Sequence, residues 1–279
     1  MPERSQRIQI SDEDKLEKIN AKTKKLFKKY RMDMELRELS PSTIYNYESD
    51  LKQWATYIYD YQCNQSVTDL NEDDLTEFYY FCKVNGNNSR RMKRRMASIS
   101  AFYKYLVKKR VIDVSPMTFI DRPKKDMDVQ VQTFLTKEQV DLMREKLLEN
   151  VNAGKRWARD IRAYALLSLS TMARVNAISN IRWEQINLED RVIDDVLEKE
   201  GKIVTLYFSE EVKDALIDLK KHRKMNGVDD GGYLFFSDRR KEKERKPITN
   251  GTLRDWCKKI GEMIDVPTLH PHDFRHSGA

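Results

Sequence analysis

Three short stretches carry the residue types that can do chemistry. The first is Thr171-Met172-Ala173-Arg174-Val175-Asn176-Ala177-Ile178-Ser179-Asn180-Ile181-Arg182-Trp183. Arg174 lies between two apolar helical runs, so it is either paired internally or aimed at an anion from a buried base. The second, Glu198-Lys199-Glu200-Gly201-Lys202, separates two strand-like runs and reads as a hairpin with lysines at its tip. The third is His270-Pro271-His272-Asp273-Phe274-Arg275-His276-Ser277. His272 and Arg275 are three apart, so one helical turn presents both on one face. Guanidinium, ammonium and imidazole groups of this kind hold anions and move protons. Cys63, Cys82 and Cys257 form no CxxC pair, which argues against a disulfide framework or a zinc ribbon. No acidic cluster suited to magnesium is evident. No metal and no cofactor is expected.

The elements that position these residues follow from caps and periodicity. Residues 12–31 have helical character, with Leu16, Ile19, Leu26 and Phe27 among lysines. Ser40 and Pro41 suit a helix cap and first position, and Ile44, Tyr47, Leu51, Trp54 and Ile58 follow at spacings of three and four. The stretch Thr68–Asp74 starts another helix, whose stripe is Leu75, Phe78, Tyr79 and Cys82. After the break at Gly86–Ser89, Ser89 caps a helix with Met92, Met96, Ile99, Tyr103 and Leu106 on one face and Arg90, Arg91, Arg94 and Arg95 outside it. The methionines are expected in the core. A bundle of about four helices thus ends near residue 120. Pro123 to Gln132 read as an extended linker. Thr136 caps the next helix, with Glu138 and Gln139 in its first turn. A helical run at 161–172, strand-like runs at Arg191–Val196, Ile203–Phe208 and Tyr233–Phe236, and helices at 209–225 and 249–264 complete the chain. Trp183 and Trp256 are expected in the core, and Tyr233 is expected as strand core rather than nucleophile. The fold class is mainly α, with domains at 1–122 and 133–279 joined by a linker at 123–132.

The charge is segregated along the chain. The 279 residues carry a net charge of +7, with 35% charged and 39% apolar residues. Lys83 to Lys125 hold 13 basic and 2 acidic residues, a local net of +11, whereas Met32 to Cys82 hold 2 basic and 11 acidic, a net of −9. A basic face of that density attracts polyanions, nucleic acid foremost. A mean hydropathy of −0.76 and the lack of any long apolar run argue against a membrane protein. No signal peptide is expected at the polar N-terminus, and a cytoplasmic setting is expected.

Taken together, the three stretches resemble the motifs of the tyrosine recombinases of the phage integrase family. The first resembles that family's first arginine motif, in which a Thr-Gly-x-Arg core precedes a small apolar helix and an Arg-Trp pair. The hairpin resembles its Gly-Lys-Gly turn, and the third stretch its His-x-x-Arg-His signature. The resemblance runs from about residue 20 to the end of the chain. It implies an N-terminal helical core-binding (SAM-like) domain that clamps double-stranded DNA. A mixed α/β, mostly helical catalytic domain with a small antiparallel sheet would follow. It places Arg174, Lys199, His272 and Arg275 on catalytic positions, with His276 beside them and His270 outside the site. DNA-contacting positions are expected at Thr43, Arg90, Arg91, Arg94, Arg95, Lys124, Lys125 and Lys202. Elementary chemistry agrees. Two guanidinium forks can hold the non-bridging oxygens of a phosphodiester, Lys199 can protonate the leaving 5′ oxygen, and His272 can bond the phosphate and accept the nucleophile's proton. Lys202 is a near competitor for the role of Lys199. The implied reaction is site-specific recombination of phage or mobile-element DNA through a 3′-phosphotyrosyl intermediate, by a tetramer on paired sites, with no ATP.

The sequence departs from the family in three places. Met172 stands where a glycine is usual, and Ala177 where an acidic residue three after the arginine is usual. The chain stops at Ala279, and no tyrosine follows Arg275. As given, the chain is therefore expected to bind DNA but to lack its nucleophile, and its assembly is expected to be impaired. The alternative expectation is a non-catalytic DNA-binding protein, a degenerate recombinase that serves as repressor or competitor.

Overall fold

The computed structural model describes residues 11–124, 134–198, 201–238 and 244–278. The chain divides into two compact units, Met1–Gln130 and Val131–Ala279. Among the described residues the first is all helical: α1 (Glu13–Lys18), α2 (Ala21–Leu36), α3 (Pro41–Tyr61), α4 (Glu72–Val84), α5 (Ser89–Lys108) and a final 3-10 turn at Pro116–Phe119. The single helix expected over 12–31 is two. Ile19, in an extended conformation, ends the first, and Asn20 caps the second, accepting from the N–H groups of Lys22 and Thr23. Ser40 caps α3 with Pro41 in its first turn, as its sequence dictates. Asn71 and Asp74 form a capping box that starts α4. Asn88, not Ser89, caps α5.

The core of this unit is aromatic. Trp54 on α3 is fully buried against Phe102 and Tyr103 of α5, and Tyr30 of α2 packs on Phe102 and Tyr105. Met92, Met96 and Ile99 lie in the same core, as their spacing predicts.

The second unit places α6 (Lys137–Asn152) and α7 (Ala158–Thr171) ahead of a short α8 (Val175–Ser179). Thr136 and Gln139 form the capping box of α6. Strands β1 (Ile186–Asn187), β2 (Val192–Leu197) and β3 (Ile203–Tyr207) make an antiparallel sheet in that order. Its register shifts between Ile193 and Val196, and Asp195 there has φ of 54°. The Gln185 amide donates to the exposed carbonyls of Asp194 and Asp195, so the bulge leaves them satisfied. Next come α9 (Glu210–Met225), a two-stranded ribbon of β4 (Phe236–Ser237) and β5 (Lys246–Pro247), α10 (Asn250–Met263) and α11 (Pro271–Ser277). The strand expected at Tyr233–Phe236 starts later, because Tyr233 makes only an isolated bridge to Arg182. Among the described residues, no helix is long and apolar enough to cross a membrane.

The buried face of α7, including Ile161, Ala163, Tyr164 and Leu167, joins Leu216 and Leu219 of α9, Trp256 and Ile260 of α10, and Phe274 of α11 in one core. Arg223 of α9 lies inside this unit and bonds the carboxylates of Asp160 (2.5 Å) and Asp230 (3.0 Å). Burial of Cys257, and of Cys82 in the first unit, pushes their thiols up to about 12 and about 11, while Cys63 is exposed. A thiol-alkylating reagent at neutral pH therefore labels Cys63 alone in the native protein and all three cysteines in denaturant, as intact mass reads directly. Fast native labelling of a second thiol would contradict this packing.

Candidate active site

Each side chain of the site is aimed by a short, well-anchored turn. Helix α7 ends at Met172, whose φ of 52° and ψ of 22° are left-handed. That conformation explains why glycine suits this position, since a Cβ is disfavoured there. The backbone then turns through buried Ala173 to Arg174, which sits at the N-cap of α8 with φ of −70° and ψ of 146°. Arg174 gives α8 no side-chain cap, since a guanidinium carries donors only and cannot accept from the helix N–H groups.

Helix α11 is fixed by its own ends. The carboxylate of Asp273 accepts from the N–H of His270 at 2.7 Å, closing a capping box, and Pro271 occupies the first turn. Burial pushes the Asp273 carboxyl above its ordinary range, and the bond from His270 opposes that. Phe274 is fully buried edge-on to Tyr164 and anchors the helix, while Ser277 donates to the carbonyl of Asp273. The chain reaches α11 by folding closely over Gly261. A methyl group there would collide with the carbonyl of Val266 and approach the Leu269 Cβ to 3.0 Å. Gly261→Ala is expected to cost about 1–3 kcal/mol by urea denaturation and to displace α11.

Arg174 and Arg275 are brought together on one carboxylate. Arg174 Nη1 is paired with Glu198, and the Arg174 N–H lies 3.4 Å from Glu198 Oε1. Arg275 Nη1 stands 4.0 Å from the same Oε1 and donates to the carbonyl of Met172 at 2.9 Å. Glu198 closes the end of the β2–β3 hairpin, its N–H bonded to the Lys202 carbonyl at 2.7 Å. Glu198 was not singled out from the sequence. The available signal was its place directly before Lys199, in a turn whose family counterpart has glycine. Ala177, the position lacking the usual acid, is buried.

The other expected positions divide. His272 is exposed and its ring stacks on His270, with centroids 5.6 Å apart, and His276 is exposed. Lys202 is exposed on the hairpin, whereas Lys199 lies outside the described residues. Arg182 lies over the Tyr233 ring, and Trp183 donates to Asp230 at 2.9 Å.

In the first unit, Arg90 and Lys124 are exposed and Thr43 is half-buried, bonded to Ser40, while Lys125 lies outside the described residues. Arg94 bonds Asp50 at 2.8 Å and Asn46 at 2.9 Å, and Arg91 reaches within 3.8 Å of Asp50. Asp50 is fully buried and also accepts from Ser98 at 2.9 Å. The outward placement expected for Arg95 is corrected by the structure. It is 1% exposed and donates to Asn87 at 2.8 Å and to Gln53 at 2.6 Å. Its position three after Met92 and four before Ile99 puts it on the buried stripe, where the two amides engage Nε and Nη2 while Nη1 is buried with no hydrogen-bond partner.

A helical domain followed by a mostly helical domain with a small antiparallel sheet and two converging arginines defines a recognisable class. The profile of the phage integrase family matches residues 133–279, and that of the phage integrase N-terminal SAM-like domain matches residues 28–110. The chain belongs to the phage integrase family. Among its relatives, a tyrosine recombinase of Caldanaerobacter subterraneus is 28% identical over 152 residues, 54% of this chain and 50% of that protein, so this chain spans about half its length. Tyrosine recombinase XerC of Roseiflexus castenholzii is 25% identical over 248 residues, 87% of this chain and 75% of the relative. The Tn1549 transposon integrase, solved in complex with transposon right end DNA, shares the fold with a TM-score of 0.67 and 17% identity, over 91% of this chain and 84% of that one.

Proposed function

We propose that this protein acts in site-specific recombination of mobile-element or phage DNA, cutting and rejoining strands through a 3′-phosphotyrosyl intermediate. The observation that carries this reading is the convergence of Arg174 and Arg275, from the end of α7 and from α11, on a single anionic group. A tyrosine oxygen, which no residue after Arg275 in this sequence supplies, attacks phosphorus, the bond to the 5′ oxygen breaks, and the phosphotyrosyl bond forms. Arg174 and Arg275 hold the non-bridging oxygens as charge grows there. His272 takes the nucleophile's proton and Lys199 delivers one to the departing 5′ oxygen. Attack by a partner strand's 5′ hydroxyl reverses these transfers, so bond energy is conserved and no ATP is consumed. The partner is double-stranded DNA, the active assembly a homotetramer on paired sites, and the setting cytoplasmic.

Selection from a random duplex pool tests the reading. A defined sequence is expected to enrich over non-specific competitor; a pool that stays random defeats the proposal. DNA affinity is also expected to fall steeply with salt. Arg90→Gln with Arg91→Gln reduces the slope of log K against log salt by about 0.9 per lost phosphate contact, with unit folding retained. An unchanged slope would remove these residues from the DNA face. A second reading, a DNA binder without catalysis that serves as repressor or competitor, is favoured by one observation: the site's arginines hold the chain's own carboxylate. A covalent protein–DNA adduct on a nicked substrate, made by the polypeptide expressed through its source stop codon, would exclude that reading.

A further inference from the structure

Glu198 is neither a surface acid nor part of the chemistry described above. Its carboxylate pairs with Arg174 and lies 4.0 Å from Arg275 Nη1. The backbone holds it there, since its own N–H is fixed to Lys202 and its Oε1 lies 3.4 Å from the Arg174 N–H. A carboxylate edge and a pair of non-bridging phosphate oxygens present the same two-acceptor face to a guanidinium fork. Two cations brought together with no anion between them repel one another. The sequence supplies that anion itself, on the residue next to Lys199.

We propose that Glu198 is an internal competitor for the phosphate site: it neutralises Arg174 and Arg275 in the unliganded protein, and a phosphodiester binds them only by displacing its carboxylate. This inference rests on the reading of Arg174 and Arg275 as a phosphate-holding pair. It assigns to Glu198 a role in setting how strongly that pair holds an anion. The neutral and isosteric Glu198→Gln keeps the side chain's volume while removing the competing charge.

The test uses two probes on the intact chain, native and Glu198→Gln, after thermal melts establish that both fold. Inorganic phosphate is titrated while the arginine Nε–H signals of Arg174 and Arg275 are followed by NMR, and a selected or random duplex is titrated by fluorescence anisotropy. The variant is expected to bind phosphate about three- to tenfold more tightly, the range that loss of a partly exposed ion-pair competitor gives. Adding Arg174→Ala to Glu198→Gln should abolish that gain. Equal or weaker phosphate binding by the variant overturns the proposal, because the carboxylate would then be orienting Arg174 rather than competing for it. Should Glu198→Gln fail to fold, Glu198→Ala is read by the same criterion. A phosphate gain without DNA binding by either protein leaves the proposal standing and sinks the recombination reading. DNA binding without a phosphate gain does the reverse.

Discussion

Replacing Arg223 by methionine lowers the stability of the second unit by about 3–5 kcal/mol, the cost of breaking a buried ion pair from one side. Arg223 bonds Asp160 and Asp230 and also donates to the carbonyls of Tyr233 and Leu234 at 3.3 and 2.9 Å. It thereby ties α9 to α7 and to the segment that carries β4. Without it, Asp160 is a buried carboxylate with no cation beside it. Burial already pushes the Asp160 carboxyl above its ordinary range, opposed by Arg223, so removing Arg223 leaves burial to act with its main opponent gone. The sign of the pH dependence follows. A carboxyl raised in the folded state favours folding below its unfolded value, and that contribution is lost as pH rises through the folded value. The deficit of Arg223→Met is therefore smaller at about pH 5 than at about pH 8. Urea unfolding at the two pH values measures it. The paired change Arg223→Met with Asp160→Leu recovers part of the loss, since two apolar groups need no ionic partner. A deficit independent of pH and unrelieved by the second change would assign it to lost packing instead.

Arg174→Ala leaves the protein folded and, on the proposed chemistry, lowers the strand-cleavage rate by about 10²–10³, the loss seen when one donor to a developing oxyanion is removed. The structure allows a clean experiment. Arg174 gives no side-chain cap to α8, and its side chain is 43% exposed, so stability should change by less than about 1 kcal/mol. DNA affinity, carried chiefly by phosphate contacts elsewhere, should fall far less than the rate. Arg174→Lys should not restore the rate, because a point charge lacks the planar fork that holds two oxygens at once. Single-turnover cleavage of a labelled duplex by the polypeptide expressed through its source stop codon reads the effect. Equal losses in affinity and rate would make Arg174 a binding residue only.

Much of the architecture is written locally. Ser40 with Pro41, and Thr136 with Gln139, announce helix starts because a cap is satisfied by its own neighbours within a turn. The apolar stripes of α3 and α5 are legible for the same reason: periodicity and burial share one geometry. The break at Asn20 and the late start of β4 were less legible. In the first, a polar cap interrupts an otherwise helical pattern, and in the second, pairing with distant Lys246 and Pro247 decides where the strand begins.

The sequence by itself determined the family, the mainly helical build, and the two arginines that the fold brings to one place. Those features are recorded in residue type and spacing within single segments. Only the tertiary structure decided that Arg95 finds its acceptors in Gln53 and Asn87, that Arg223 binds two carboxylates, and that Glu198 lies between Arg174 and Arg275. In each case the charged group's partners come from other elements. Whether a charge faces water or a counter-ion depends on what the folded chain places beside it, and no local pattern encodes that.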